Sequence, residues 1–467
     1  MKTLTPGAKK IRLTLCSAVL FAYGCLLSAQ LPAEDEFEAT PPRVLRYISA
    51  ITPHTGQSCY GLVLSEHEGI PETVYNLGSV NADLCNQPDT SSSPAQLKLA
   101  FGIADTLAAQ EQLAETFTEH IPRQRLATDI RPPVDITQSQ LDNGQRFIVG
   151  VGLNYRDHRD ETSGELHAGL STDELLVFPK ALPPSGAYVP VRPGASAGSN
   201  PPRPVLLLDY EVELAMVLLE DLDLNAPPAS RADFINSVAF LAANDVSDRE
   251  PIILDSVYGY TRGKSHPGYL PTGPWMIHGR HLQPRTATEG RDMLELTLTV
   301  RESAQGGHPA RTRRLQSSDT TRMILGPWDI IQLLATRHQR GLRNCMRDAD
   351  GIPRYTQTPA GIIPAGSLVL TGTPGGTAIQ APGLLGKLDL FIRGGFSLNG
   401  ARRRMIEDSE AGIHDSRYLE PGDLVETSIS QLGVQRWPVS RETELRSYGI
   451  DAPGDCNLPL PTGGHNQ

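Results

Sequence analysis

Apolar positions along this chain gather into short runs bounded by Gly, Pro, Asn and Ser, which is the pattern of strands joined by turns. Beyond Asn143-Gly144 the runs are Arg146 to Gly152, Val205 to Leu219, Val238 to Ala243, Leu294 to Val300, Ser367 to Leu370 and Leu424 to Ile429. Each is short and apolar enough to be a strand buried in a sheet. Helical spacing stands out between Pro94 and Thr118, where Leu97, Leu99, Ala100, Ile103, Leu107, Ala108 and Leu113 recur near the helical period. The pattern therefore predicts a mixed α/β, β-rich body. The generous Gly (43) and Pro (38) counts agree with many turns and irregular loops. Arg131-Pro132-Pro133 reads as a linker, which divides the chain into a small N-terminal domain over 30–131, a main domain over 132–440 and a tail over 441–467. Stretches 193–204, 337–360 and 395–415 read as insertions on this frame, and there is no internal repeat.

The first residues behave as an address rather than as structure. Lys2, Lys9, Lys10 and Arg12 precede an uncharged apolar run from Leu13 to Leu27, followed by the small residues Ser28 and Ala29. That order predicts a signal peptide over 1–29 that is cleaved, leaving no stable membrane span and a periplasmic or secreted protein. Ala22-Tyr23-Gly24-Cys25 offers the alternative of a lipoprotein anchored through Cys25. An oxidising compartment would allow disulfides, and Cys59–Cys85 and Cys345–Cys456 are the candidate pairs. The absence of any Cys-x-x-Cys argues against a thiolate zinc site. With 42 Lys+Arg against 53 Asp+Glu, the formal charge of −11 would repel phosphate backbones, so nucleic acid is excluded as a partner.

Three places carry candidate chemistry. On a strand through Leu206 to Val217, Asp209, Glu211 and Glu213 share one face. Adjacent carboxylates repel unless a cation lies between them, although a solvated strand face has the same alternation. Asp245 ends the next apolar run and could complete an all-oxygen site for Mg²⁺, Mn²⁺ or Ca²⁺; the same cluster also fits a helix cap. Upstream, His158 and Glu161 stand three apart, so on a helix the carboxylate can orient the imidazole as a general base. A surface helix contact has the same spacing. Gly150 and Gly152 lack the third glycine of a dinucleotide fingerprint.

Taken in order, the segments Gly152-Leu153-Asn154-Tyr155-x-x-His158-x-x-Glu161, Phe178-Pro179-Lys180, Asp209-Tyr210-Glu211-Val212-Glu213-Leu214 and Asn244-Asp245-Val246-Ser247-Asp248-Arg249 form half of a specific pattern. Gly263-Lys264-Ser265, Asp319-Thr320-Thr321-Arg322-Met323-Ile324, Leu370-Thr371-Gly372-Thr373-Pro374-Gly375-Gly376 and Leu419-Glu420-Pro421-Gly422-Asp423-Leu424-Val425-Glu426 complete it. This ordered set resembles the fumarylacetoacetate hydrolase family over about residues 132–440. The resemblance implies a mixed β-sandwich roll that holds one divalent cation through Glu211, Glu213 and Asp245. It implies His158 and Glu161 as the water-activating dyad, Lys264 and Arg249 as cations facing the substrate, and Thr320 as a substrate contact. Tyr155, Lys180 and Thr373 in the same motifs are further candidate substrate contacts. It also implies a homodimer.

The activity expected from this resemblance is hydrolysis of a C–C bond in an acylpyruvate or β-diketo acid. Isomerisation, hydration or decarboxylation of a related oxo acid is the alternative, as is a non-catalytic exported oxo-acid binding protein. Two features depart from the pattern. The leader sets the chain apart from intracellular relatives, and Pro251-Ile252-Ile253-Leu254 is apolar where hydrolase relatives often carry a polar residue.

Overall fold

The long apolar runs become the centre of one sheet. The computed structural model describes residues 40–442 apart from 89–90, 111, 163–174, 196–202, 256–257, 304–309, 349, 381 and 412–417. The expected leader with Cys25, the tail from 443 and Cys456 lie outside the described residues.

Through this sheet the main path runs Thr118–His120, Ile70–Asn76, Ser58–His67, Arg43–Ile48, Pro271–His278, Val238–Asn244, Val212–Leu218, Leu368–Leu370, Ile148–Gly152, Leu176–Lys180. Neighbours along it are antiparallel except Leu368–Leu370 beside Ile148–Gly152. Val212–Leu218 and Val238–Asn244 are buried along their whole length. Alternate residues of Val212–Leu218 enter two different cores, Leu214 and Met216 on one side and Ala215 and Val217 on the other. Burial on both faces explains why these strands read as continuous apolar runs.

A second sheet, Arg311–Asp319, Glu295–Glu302, Leu424–Ile429, Gly433–Pro438, shares the first of those cores through Leu296, Leu298, Val300, Val425 and Ile429. The expected β-rich α/β architecture is therefore present, as packed open sheets with short helices. From Pro41 to Glu442 the described residues belong to one compact unit. Arg43 and Val44 lie opposite Ile277 and Met276, so the N-terminal strands extend the sheet that carries the site. Cys59 and Cys85 face each other across Ser58–His67 and Cys85–Asn86 and form a disulfide.

Two expected elements differ in extent. The helix begins at Pro94, capped by Ser93 and Gln96, and ends at Ala108, because the polar Gln110-Glu111-Gln112 offers no apolar face to continue it. The expected strand from Leu206 to Val217 is broken at Tyr210-Glu211 into Leu208–Asp209 and Val212–Leu218. Neither segment has a solvated face, so the polar-out explanation of the three acids fails. Among the described residues, no helix is long and apolar enough to cross a membrane.

Candidate active site

The strand break directs three carboxylates toward one point. Glu213 projects from Val212–Leu218, Glu211 sits at the break, and Asp245 follows Asn244, which lies opposite Val212 on the adjacent strand. Their ligand atoms lie within 4.8 Å of one another, and all three side chains are buried. Backbone and amide bonds hold them there. The Glu211 N–H donates to Asn244 Oδ1 at 3.1 Å, and the Asp245 N–H donates to the Glu211 carbonyl at 2.8 Å. Glu213 Oε2 accepts from the Gly372 N–H at 2.7 Å. Gly372 has φ +95°, and a Cβ there would come within 2.8 Å of the Asn154 Cβ, so glycine is what lets this amide approach.

Three cations surround the cluster. Lys264 Nζ donates to Glu211 Oε2 at 2.6 Å and to Asp245 Oδ2 at 2.8 Å. Lys180 Nζ donates to Asp245 Oδ1, and to the Tyr269 carbonyl at 3.1 Å. Arg249 donates through Nε to Asp209 Oδ2 at 2.7 Å and through Nη2 to Glu211 Oε1 at 2.6 Å. Asp209 is fixed in turn by the amides of Tyr210, Ala378 and Ile379 at 2.8, 2.8 and 3.2 Å.

The electrostatics separate the two glutamates. Burial opposes ionisation of Glu211, but Lys264 and Arg249 overcome it and bring the carboxyl down to about 2. Glu213 is pushed well above the usual carboxylate range, first by burial and then by Asp245 and Glu211. Among the described residues no Lys or Arg forms an ion pair with Glu213. A cation between the three carboxylates would relieve this repulsion, and carboxylate oxygens suit the hard ions Mg²⁺, Mn²⁺ and Ca²⁺. The residues thus fit a divalent cation.

His158 lies on the short helix Arg156–Thr162 and lines the same pocket as Glu211, Glu213, Arg249, Lys264 and Thr373. The chain enters that helix through Leu153, which has φ +64°, a conformation that costs a non-glycine residue about 1–3 kcal/mol and collects at functional sites. Asn154 holds the bend: its Nδ2 donates to the Leu325 and Thr371 carbonyls at 2.9 and 2.7 Å, and its Oδ1 accepts from the Leu325 N–H at 2.8 Å. Glu161, one turn beyond His158, accepts from the Gly376 N–H at 2.8 and 3.0 Å, which ties the helix to the glycine loop.

The other expected contacts divide. Thr373 lines the pocket, with its hydroxyl donating to the Val212 carbonyl at 3.0 Å and accepting from Gln316 Nε2 at 2.9 Å. Lys180 reaches Asp245 but is not part of the lining. Tyr155 is wholly buried, outside the lining, and its hydroxyl has no hydrogen-bond partner among the described residues. Thr320 also lies outside it, where its hydroxyl donates to the Arg285 carbonyl at 2.6 Å and accepts from the Leu294 N–H at 3.2 Å. Thr320→Val should therefore lower stability by about 1–3 kcal/mol, the cost of two stranded backbone groups, while changing kcat/KM less than about threefold. A raised KM at unchanged melting temperature would return Thr320 to the substrate.

Two positioning roles, those of Gln316 and Asp209, were not legible in the sequence. Gln316 donates to Thr373 and to the Pro374 carbonyl at 2.8 Å, and accepts from the Val212 N–H at 2.9 Å, locking the loop to the strand that carries Glu213. A lone glutamine on a charged strand carries no sequence signal. Asp209 was legible only as an acid on a strand face; its role is to hold Arg249.

A buried carboxylate cluster at the ends of packed strands, with His158 lining the same pocket, defines a site suited to cation-assisted chemistry on a small molecule. The chain belongs to the fumarylacetoacetate hydrolase family, whose C-terminal region profile matches residues 147–440. A 2,4-didehydro-3-deoxy-L-rhamnonate hydrolase of Sphingomonas sp. (strain SKA58) is 25% identical over 315 residues, 66% of this chain and 76% of the relative. Among solved structures, a probable 2-hydroxyhepta-2,4-diene-1,7-dioate isomerase from Mycobacterium abscessus superposes with TM-score 0.48 at 18% identity, covering 87% of this chain and 99% of that one. The fumarylacetoacetate hydrolase of psychrophilic Exiguobacterium antarcticum gives TM-score 0.47 at 17% identity, covering 86% and 100%.

Proposed function

We propose that this protein is a divalent-cation-dependent hydrolase that cleaves the C–C bond beside a carbonyl in an acylpyruvate or related β-diketo acid. The observation that carries this reading is the convergence of Glu211, Glu213 and Asp245 within 4.8 Å, in a pocket that also presents His158. A cation held by those three carboxylates would supply Lewis acidity toward the 2-oxo carboxylate of the substrate.

The chain's own groups do the rest. His158 takes a proton from water, whose oxygen bonds to the acyl carbon. The bond from that carbon to the methylene then breaks, and its electron pair leaves on the methylene as the enolate of pyruvate. The proton held by His158 passes to the methylene carbon, making it the methyl group of pyruvate and leaving the acyl half as a carboxylic acid. Glu161 keeps the helix of His158 against the Gly376 loop. Lys264 places positive charge where the enolate oxygen develops, and Arg249 orients Glu211.

The test is turnover of an acylpyruvate panel with Mg²⁺ or Mn²⁺, and again with a chelator, following the enol absorbance and identifying products by mass. Two fragments formed only with the cation are expected. A single product of unchanged mass, or turnover indifferent to the chelator, would replace this reading with an isomerase or a metal-independent one.

A further inference from the structure

Apart from the charged floor of Glu211, Glu213, Arg249 and Lys264, with His158 and Thr373, the side chains lining the pocket walls are hydrocarbon or aromatic. Phe178 and Tyr260 stack with centroids 5.4 Å apart and pack with Ile252 and Met346 in one cluster. Ile379 packs with Leu207, Ile253 and Ile406 in a second. Phe178, Ile252, Tyr260 and Ile379 line the pocket together with Val151 and Leu153. Lys264 Nζ, which also donates to Glu211 and Asp245, lies over the Phe178 ring, 5.5 Å from its centroid. Met346 and Ile406 come from the stretches 337–360 and 395–415, so the segments that read as insertions supply backing for both walls.

The pocket's Lys and Arg charges are already answered. Lys264 faces Glu211 and Asp245, and Arg249 faces Asp209 and Glu211. Among the described residues, no other Lys or Arg lines the pocket.

From this we infer that the acyl substituent of the substrate is uncharged hydrocarbon, selected by Ile252, Phe178 and Ile379. The inference rests on the hydrolase reading for the orientation of the substrate: its 2-oxo carboxylate goes to the floor, so the far end meets these walls. A second carboxylate there would lose its hydration against carbon, with no unengaged Lys or Arg among the described lining residues to replace it. An alkyl group of the same length would instead bury apolar surface.

Matched substrates test this. With Mg²⁺ present, kcat/KM for 2,4-dioxooctanoate should exceed that for 2,4-dioxooctanedioate by about a hundredfold. Calorimetry supplies a readout independent of turnover: 2-oxohexanoate should bind the Mg²⁺-loaded protein more tightly than 2-oxohexanedioate. If neither dioxo acid is cleaved but the monoacid still binds more tightly, the hydrolase reading fails and the hydrocarbon wall stands. A diacid cleaved or bound as well as its monoacid partner, or no binding of either, overturns the inference. Ile252→Lys should shrink the discrimination at least tenfold, and Ile379→Lys serves the same purpose if the first variant does not fold. An unchanged ratio in a folded variant would remove that residue from the selectivity.

Discussion

Replacing His158 with alanine should cut turnover by a factor of about 10²–10⁴ while leaving affinity for Mg²⁺ or Mn²⁺ within about threefold of the parent. The separation follows from where the side chain sits. His158 lines the pocket but arrives on the helix Arg156–Thr162, separate from the strands and the strand-end loop that bear Glu211, Glu213 and Asp245. Removing it takes away the group proposed to accept a proton from water and leaves the three carboxylates in place. Steady-state kinetics and calorimetric titration with the metal check the two halves separately. Retained turnover would dismiss the general-base role, whereas joint loss of turnover and metal affinity would mean that the imidazole acts as a ligand.

Glu213→Gln carries the second large effect, and its sign reverses with the metal. In metal-free protein, burial and two neighbouring carboxylates hold the Glu213 carboxyl well above its ordinary range. Because the folded value lies above the unfolded one, the stability linked to this group is present at low pH and lost as pH rises toward the folded value. Glutamine removes the repulsion and retains an oxygen to accept from the Gly372 N–H. At pH 8 with a chelator, the variant should therefore melt higher than the parent. Adding Mg²⁺ should stabilise the parent, by about 2.7 kcal/mol at a hundred times its dissociation constant, and barely move the variant. Equal metal-induced shifts in both proteins would exclude Glu213 as a ligand. Lower stability of the chelated variant would show that the Glu213 carboxylate supports the fold even without a cation.

Strand positions and the pieces of the site were legible because both depend on local pattern. Val238 to Ala243, Leu294 to Val300 and Leu424 to Ile429 were expected from their apolar runs and fall in observed strands within one or two residues at each end. Glu211, Glu213 and Asp245 could be singled out because motif spacing marks them, and the folded chain brings them together. Thr320 carried an equally good motif, yet its hydroxyl is engaged by the Arg285 carbonyl and the Leu294 amide. Motif position says nothing about which way a hydroxyl turns. The break at Tyr210-Glu211 was also invisible, since an apolar–polar alternation reads alike in one strand or two.

By itself the sequence determined the β-rich α/β class, the family and the residue types of the carboxylate cluster, because periodicity and residue type act locally and survive without neighbours. Tertiary structure alone decided which charges are answered. Lys264 and Arg249 line the pocket as a substrate-facing role requires, and the fold also pairs each with Glu211, 53 and 38 residues away in the chain. It likewise decided that Met346 and Ile406, more than fifty residues apart in the chain, back the two apolar walls of one pocket. Coulomb interaction and hydrophobic burial both depend on distances of a few ångströms, and only the folded chain sets those distances.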